Sequence, residues 1–118
     1  MAHLALAVRD QQRSRRFYET YFGFDEGPAR VAEDGVLLLQ NAEGFSLALG
    51  ETGEPIRLPP FLHFGFRAAR DPDEVWTMRD RLAQDGVPIV EEWDEPHYVS
   101  VKCRDPDGYV IEFAWEPD

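Results

Sequence analysis

Arg104-Asp105-Pro106-Asp107-Gly108-Tyr109-Val110-Ile111-Glu112-Phe113 joins a turn to a strand. Asp, Pro, Asp and Gly at 105–108 punctuate the chain, and the run from Tyr109 to Trp115 is apolar except at Glu112. On a strand, Glu112 shares its face with Val110 and Ala114. A carboxylate inside such a run is costly to bury unless it is paired or holds a cation. The alternative is an edge strand on which Glu112 faces water.

Working outward, the same form occurs earlier. Gly44-Phe45-Ser46-Leu47-Ala48 precedes Gly108-Tyr109-Val110-Ile111-Glu112 by 64 positions, Gly23 precedes Gly86 by 63, and His3 precedes His63 by 60. Each half reads as strand, helix, glycine, then three strands. In the first half, Ala2–Val8 alternates as a strand. Asp10 caps a helix carrying Phe17, Tyr18, Tyr21 and Phe22, and Gly23 ends it. Strands are expected near Glu26–Ala32, Gly35–Gln40 and Phe45–Gly50. Glu51–Pro60, with three prolines and a glycine, reads as a linker. In the second half, Phe61–Arg67 is a strand, and Asp71 or Asp73 caps a helix. Its apolar stripe is Val75, Trp76, Met78, Leu82 and Ala83, and Gly86 closes it. Strands follow near Pro88–Trp93, His97–Cys103 and Tyr109–Trp115. The chain is therefore expected to be α+β, with two βαβββ modules at about 1–52 and 60–118. Together they would form one domain over 1–118, a curled mixed sheet around a metal or ligand cavity.

The 118 residues suit one domain, and the 43% hydrophobic content is that of a folded chain. The net charge of −11 disfavours nucleic acid and anionic membranes, which need a cationic face. Cys103 is the lone cysteine, so no intrachain disulfide can form and a reducing, cytoplasmic setting is expected. The amino terminus lacks the pattern of a signal peptide, and no apolar stretch is long enough to span a bilayer.

The repeat sets His3 and His63 at matching places on matching strands. Each is flanked on its own face by small residues: Ala5 and Ala7 beside His3, and Gly65 beside His63. With Glu112 they make two imidazoles and one carboxylate, a facial set for a divalent cation with open positions. Fe, Mn, Zn, Ni and Co all suit these donors. Taken singly, each of the three also reads as an ordinary surface or core residue. Glu91-Glu92-Trp93-Asp94-Glu95 reads as a solvated acidic loop, with Trp93 as a lid over the ligand. His97 is either an acid–base group or an exposed loop residue. Cys103 reads as a small buried strand residue rather than a nucleophile.

The turn and strand at 104–113 resemble the last hairpin of the vicinal oxygen chelate superfamily, which includes glyoxalases, bleomycin resistance proteins and dioxygenases. His3 and His63 are similar to its two histidine ligands, and Phe17-Tyr18 followed by Gly23-Phe24 to its first helix and exit turn. The resemblance spans nearly the whole chain. It implies a metal held by His3, His63 and Glu112, and places Tyr98, Ser100 and Lys102 on the inward face. Glyoxalase I enzymes carry a fourth ligand, a glutamate, where this chain has Ala48. Glutathione-using fosfomycin enzymes carry Thr where it has Ala5. Bleomycin-binding members lack the ligands that this chain keeps. Superfamily chains of this size are commonly homodimers.

Two functions compete. The first is a metal-dependent enzyme acting by Lewis-acid chemistry on a small oxygenated molecule, with Glu112, Tyr98 and His97 as catalytic groups. In it Arg67, Ser100, Lys102 and Trp93 would bind the substrate, the two cations holding any anionic group. The reaction could be of the lyase, isomerase, thiol-transferase or dioxygenase type. The second is a protein that sequesters an antibiotic or metabolite without turnover.

Overall fold

The structure, a computed structural model, describes residues 2–117. Met1 and Asp118, the ends of the span expected from sequence, lie outside the described residues. The elements are β1 (His3–Val8), α1 (Gln11–Tyr21), β2 (Ala29–Val31), β3 (Leu37–Gln40) and β4 (Ser46–Glu51), then β5 (His63–Phe64), α2 (Pro72–Gln84), β6 (Ile89–Glu95), β7 (Tyr98–Arg104) and β8 (Val110–Trp115). The order βαβββ occurs twice. The chain divides into two compact units, the first ending at Arg57 and the second beginning at Leu58, within the proline-bearing segment read as a linker. Each unit holds one helix and one four-stranded mixed sheet, ordered β1-β4-β3-β2 and β5-β8-β7-β6. In both, the first strand runs parallel to the fourth and the other pairs are antiparallel. Among the described residues no helix is long and apolar enough to cross a membrane.

The first unit follows its sequence pattern closely. The Asp10 carboxylate accepts from Arg13 N at 3.0 Å and caps α1. Gly23 ends the helix at a φ of 79°, a left-handed conformation that glycine adopts without steric cost. Alternation then sorts the sheet. Leu6, Val8, Leu37, Leu39, Leu47 and Leu49 are buried in the core with Phe17, Tyr18 and Tyr21 of α1. The opposite face carries His3, Ala5, Ala7, Leu38, Gln40, Ser46, Ala48 and Gly50.

In the second unit Asp71, not Asp73, caps its helix, accepting from Glu74 N at 2.9 Å. Val75, Met78 and Leu82 are buried, whereas Trp76 and Ala83 leave the expected stripe. Trp76 instead stacks beneath the Arg79 guanidinium, 4.8 Å from the ring centre, so its indole covers a charged stem on the outer side. Val99, Val101, Cys103, Ile111 and Phe113 form the core row under α2.

Three expectations are corrected. The strand expected over Phe61–Arg67 is only two residues long. Phe61 has a φ of 71°, outside the β region, and a Cβ on Gly65 would lie 2.7 Å from Glu112 O, so the chain passes too close to β8 there for an ordinary side chain. The second is the acidic run 91–95, which is strand rather than loop. It occupies β6, an outer strand of its sheet, where its carboxylates reach water without leaving the ladder. Finally, the strand expected at Glu26–Ala32 shortens to Ala29–Val31, after Gly27 and Pro28.

Candidate functional site

Sheet register collects the candidate residues of the second unit on one face. Glu112 pairs with Lys102, Ala114 with Ser100 and Val110 with His63. Across β6, Glu91 pairs with Lys102, Trp93 with Ser100 and Glu95 with Tyr98. A bulge between Ile89 and Glu91 makes this possible: without it Glu91 would share the face of Ile89, which lies opposite buried Cys103. Core residues on the helix side and polar residues on the other are thus the period-2 consequence of one ladder.

His63 is held at both ends. Its Nδ1 lies 2.8 Å from Phe61 O, which can only accept, so Nδ1 donates there and Nε2 is the ring nitrogen left toward the site. Nε2 faces Glu112 Oε1 at 3.8 Å. The other carboxylate oxygen, Oε2, accepts from Ser100 Oγ at 2.6 Å and from the Tyr98 hydroxyl. Ser100 is fully buried, so its donor is fixed. Burial, and then the bond to Glu112, raises the Tyr98 phenol above its ordinary value and keeps it protonated as a donor. Adjacent donors on a tetrahedral or octahedral ion with bonds of about 2.0–2.2 Å stand roughly 3.0–3.5 Å apart. The 3.8 Å between His63 Nε2 and Glu112 Oε1 is wider than that, so one cation shared by the two would draw them together by about half an ångström. The outward-facing bonds of each residue, to Phe61 O and to Ser100 and Tyr98, are the outer-shell pattern that orients metal ligands.

The remaining candidates are placed as follows. Lys102 lies on the same face and bonds Glu91 at 3.2 Å, which offsets its charge. Glu91 also accepts from the Trp93 indole; that bond, and then the one to Lys102, holds its carboxyl below the usual range. Trp93, 44% exposed, stands on this face as a strand residue rather than on a loop. Arg67 is half exposed, 3.5 Å from Glu74 and stacked over the Phe113 ring, at the rim of a cavity lined also by Gly65, Glu112, Ala114 and Glu116. His97 is exposed in the turn between β6 and β7. Cys103 is buried, and burial pushes its thiol up to about 12, which leaves it inert as a nucleophile.

In the first unit, β1 and β4 repeat the geometry of β5 and β8. His3 lies opposite Ser46, two residues before Ala48, as His63 lies opposite Val110, two before Glu112. Ala48 is thus the topological counterpart of Glu112, as the 64-residue offset indicated. His3 is exposed on the small-residue face and lines a cavity of about 270 Å³ with Pro28, Arg30, Leu38, Gln40 and Ala48. Sequence reasoning missed Arg30 and Gln40. Among the described residues no group of three or more His, Cys, Asp or Glu side chains comes together; within the second unit the pair is His63 and Glu112.

Comparison with known proteins agrees with this architecture. A family model described as the glyoxalase/bleomycin resistance protein/dioxygenase superfamily matches residues 1–113. A trivalent organoarsenical cleaving enzyme of Bacillus sp. (strain MD1) is 28% identical over 97% of this chain and 71% of its own length. The structure of a possible glyoxalase from Bacillus cereus superposes with a TM-score of 0.78 at 25% identity, covering 96% of each chain. TnmS3, an antibiotic binding protein from Streptomyces sp. CB03234, superposes with a TM-score of 0.73 at 24% identity, over 99% of this chain and 95% of its own.

Proposed function

The chain belongs to the glyoxalase/bleomycin resistance protein/dioxygenase superfamily, and from that premise we propose that it is a metal-dependent enzyme acting on a small oxygenated molecule. Members of the superfamily commonly use divalent metals. His63 and Glu112 would hold the ion, and His3, at the corresponding place in the first module, would be the third ligand. The observation that carries this reading is the presentation of His63 Nε2 toward a carboxylate whose far oxygen is already tied down. A surface ion pair needs neither anchor. When bound, a divalent cation would supply Lewis acidity to a chelated substrate oxygen.

The chain's own groups do the rest. Ser100 and Tyr98 fix the Glu112 carboxylate, and Phe61 O fixes the His63 tautomer. The Tyr98 phenol, protonated at neutral pH, can donate a hydrogen bond to a substrate oxygen when it turns from Glu112. Trp93 walls the face, and Arg67 at the cavity rim, paired with Glu74, would exchange that partner to hold an anionic substrate group. His97, in its turn, would exchange protons only with a substrate that extends that far. We assign the protein to the cytoplasm as a homodimer, with its one thiol buried and reduced. One relative is by name a cleaving enzyme, which supports turnover over sequestration.

Elemental analysis of untagged protein after incubation with Mn(II), Fe(II) or Zn(II) tests the reading. One ion per site is expected, lost in Glu112→Ala while the circular dichroism spectrum is unchanged. A wild-type chain that retains no ion overturns it. The mostly apolar cavity around Leu38, Leu39 and Ala48 favours the second reading, a sequestering protein, if that metal-free chain still binds small molecules.

A further inference from the structure

The face of the first sheet around His3 is laid out in two rows. One row, across β1, β4 and β3, is His3, Ser46 and Gln40. The next, across all four strands, is Ala5, Ala48, Leu38 and Arg30. The cavity over these rows therefore has an apolar floor at Ala48 and Leu38, with His3 on one outer strand and Arg30 on the other. Three strand spacings separate those outer strands, roughly 14 Å between backbones. The two side chains reach inward from either side, which leaves room between them for a body of a few atoms.

Among the described residues Arg30, like Arg16 and Arg57, has no carboxylate partner, and it lines a cavity. Carboxylates outnumber cationic side chains by 23 to 12, so partners are plentiful. Arg15, Arg67, Arg70, Arg79 and Lys102 all take one. Among the described residues nothing pairs with the Arg30 guanidinium, and no Asp or Glu lines its cavity. A guanidinium presents planar paired donors that match an oxyanion, and Arg30, exposed on the outer strand, presents them at the edge of the cavity. Gln40 Nε2, 3.4 Å from Ser46 Oγ, adds a donor within the same cavity.

We infer that the cavity takes a small organic oxyanion, a carboxylate or phosphonate, with the anionic group on Arg30, the apolar body over Leu38 and Ala48, and the far end toward His3. Arg30 is then a specificity-determining residue for the reaction. This rests on the metal-enzyme reading and names its substrate class. The volume of about 270 Å³ suits a small ligand.

The test is an NMR titration of the ¹⁵N-labelled full chain with phenylphosphonate, benzoate and the neutral benzyl alcohol, on wild type, Arg30→Gln and Arg30→Lys. Wild type should bind at least one of the two anions, with shifts centred on Leu38, Gln40 and Ala48, and bind the alcohol far more weakly. Arg30→Gln should weaken anion binding about tenfold or more, the value of a charged hydrogen bond, and leave alcohol binding unchanged. Arg30→Lys should recover part of the loss. Equal anion binding by Arg30→Gln overturns the inference, as does tighter binding of the alcohol, or no binding of either anion up to its solubility. Mn(II) stoichiometry, measured on the same samples, separates the two proposals. Metal-free protein with Arg30-dependent anion binding keeps the anion site but removes the metal reading and, with it, the role of Arg30 in a reaction. Metal-loaded protein indifferent to Arg30 does the reverse.

Discussion

Substituting Gly65 by alanine probes how closely the second unit is built around Glu112. The new Cβ would lie 2.7 Å from Glu112 O, closer than carbon and oxygen tolerate. That oxygen belongs to β8, which is paired with β5 on one side and β7 on the other, so it has little freedom to retreat. The chain at Gly65 must move outward instead, by roughly half an ångström, a gap that forfeits a quarter or more of each dispersion contact it opens. Overpacking of this kind costs about 1–3 kcal/mol, and the stiffer unfolded chain of the alanine variant returns about 0.4–1 kcal/mol. A net loss of about 1–2 kcal/mol is expected, or roughly 5–10 °C in Tm for a chain of this size. His63 lies two residues away on the displaced strand, so the His63–Glu112 spacing should widen and Mn(II) affinity should fall as well. Thermal unfolding by circular dichroism and Mn(II) titration measure both. A Gly65→Ala chain with wild-type Tm would refute the close approach, and one that lost stability but kept full metal affinity would detach this contact from the site.

Ser100→Ala removes a buried donor from Glu112 Oε2 and should weaken Mn(II) binding about 10–100-fold, the usual effect of deleting an outer-shell partner; unchanged affinity in a calorimetric titration would count against the orientation argument. Asp105→Ala should cost about 2–4 kcal/mol, because one buried oxygen accepts from both Asp107 N and Tyr109 N. Asp105→Asn keeps an acceptor there and should lose less in urea denaturation. Cys103 sets an alkaline limb. Its folded value of about 12 lies above an unfolded value near 8.5, so its contribution is intact below about pH 8.5 and is lost as pH rises toward 12, with a slope approaching about 1.4 kcal/mol per pH unit. Cys103→Ala should flatten that limb relative to wild type, and native Cys103 should resist Ellman's reagent at pH 8.

Much of the fold was legible because it rests on short-range chemistry. Asp10 and Asp71 cap helices, Gly23 and Gly86 end them in left-handed conformations, and the turn at 105–108 closes where Asp, Pro and Gly predict. The repeat was legible because both halves spell one order, and the sheet registers place Ala48 and Glu112 at equivalent positions. What could not be read depends on partners distant in sequence. The break at Gly65 follows from the approach of β8, and alternation alone extends the strand through it. The acidic run at 91–95 has the composition of a loop, yet an outer strand solvates its carboxylates equally well. The bulge at Ile89/Glu91, which turns Glu91 toward Lys102, follows Pro88, but Pro88 reads equally well as the plain start of a strand. Arg30 escaped notice because its face is set by the pairing of β2 with β3, whose register is not written in either strand alone. The hairpin around Glu33-Asp34-Gly35 was the available signal: folding it back sets Arg30 across from Leu38.

In the proposed function His63 offers Nε2 to a metal shared with Glu112 while Nδ1 donates to Phe61 O. Ring ¹⁵N NMR of histidine-labelled protein, titrated with Zn(II), reads both nitrogens at once, and His63→Gln assigns the signals. Zn(II) is expected to shift the His63 Nε2 resonance while Nδ1 keeps its proton, and Glu112→Ala to abolish the shift. Zn(II) binding through Nδ1, or a His63 ring untouched by saturating Zn(II), would contradict it.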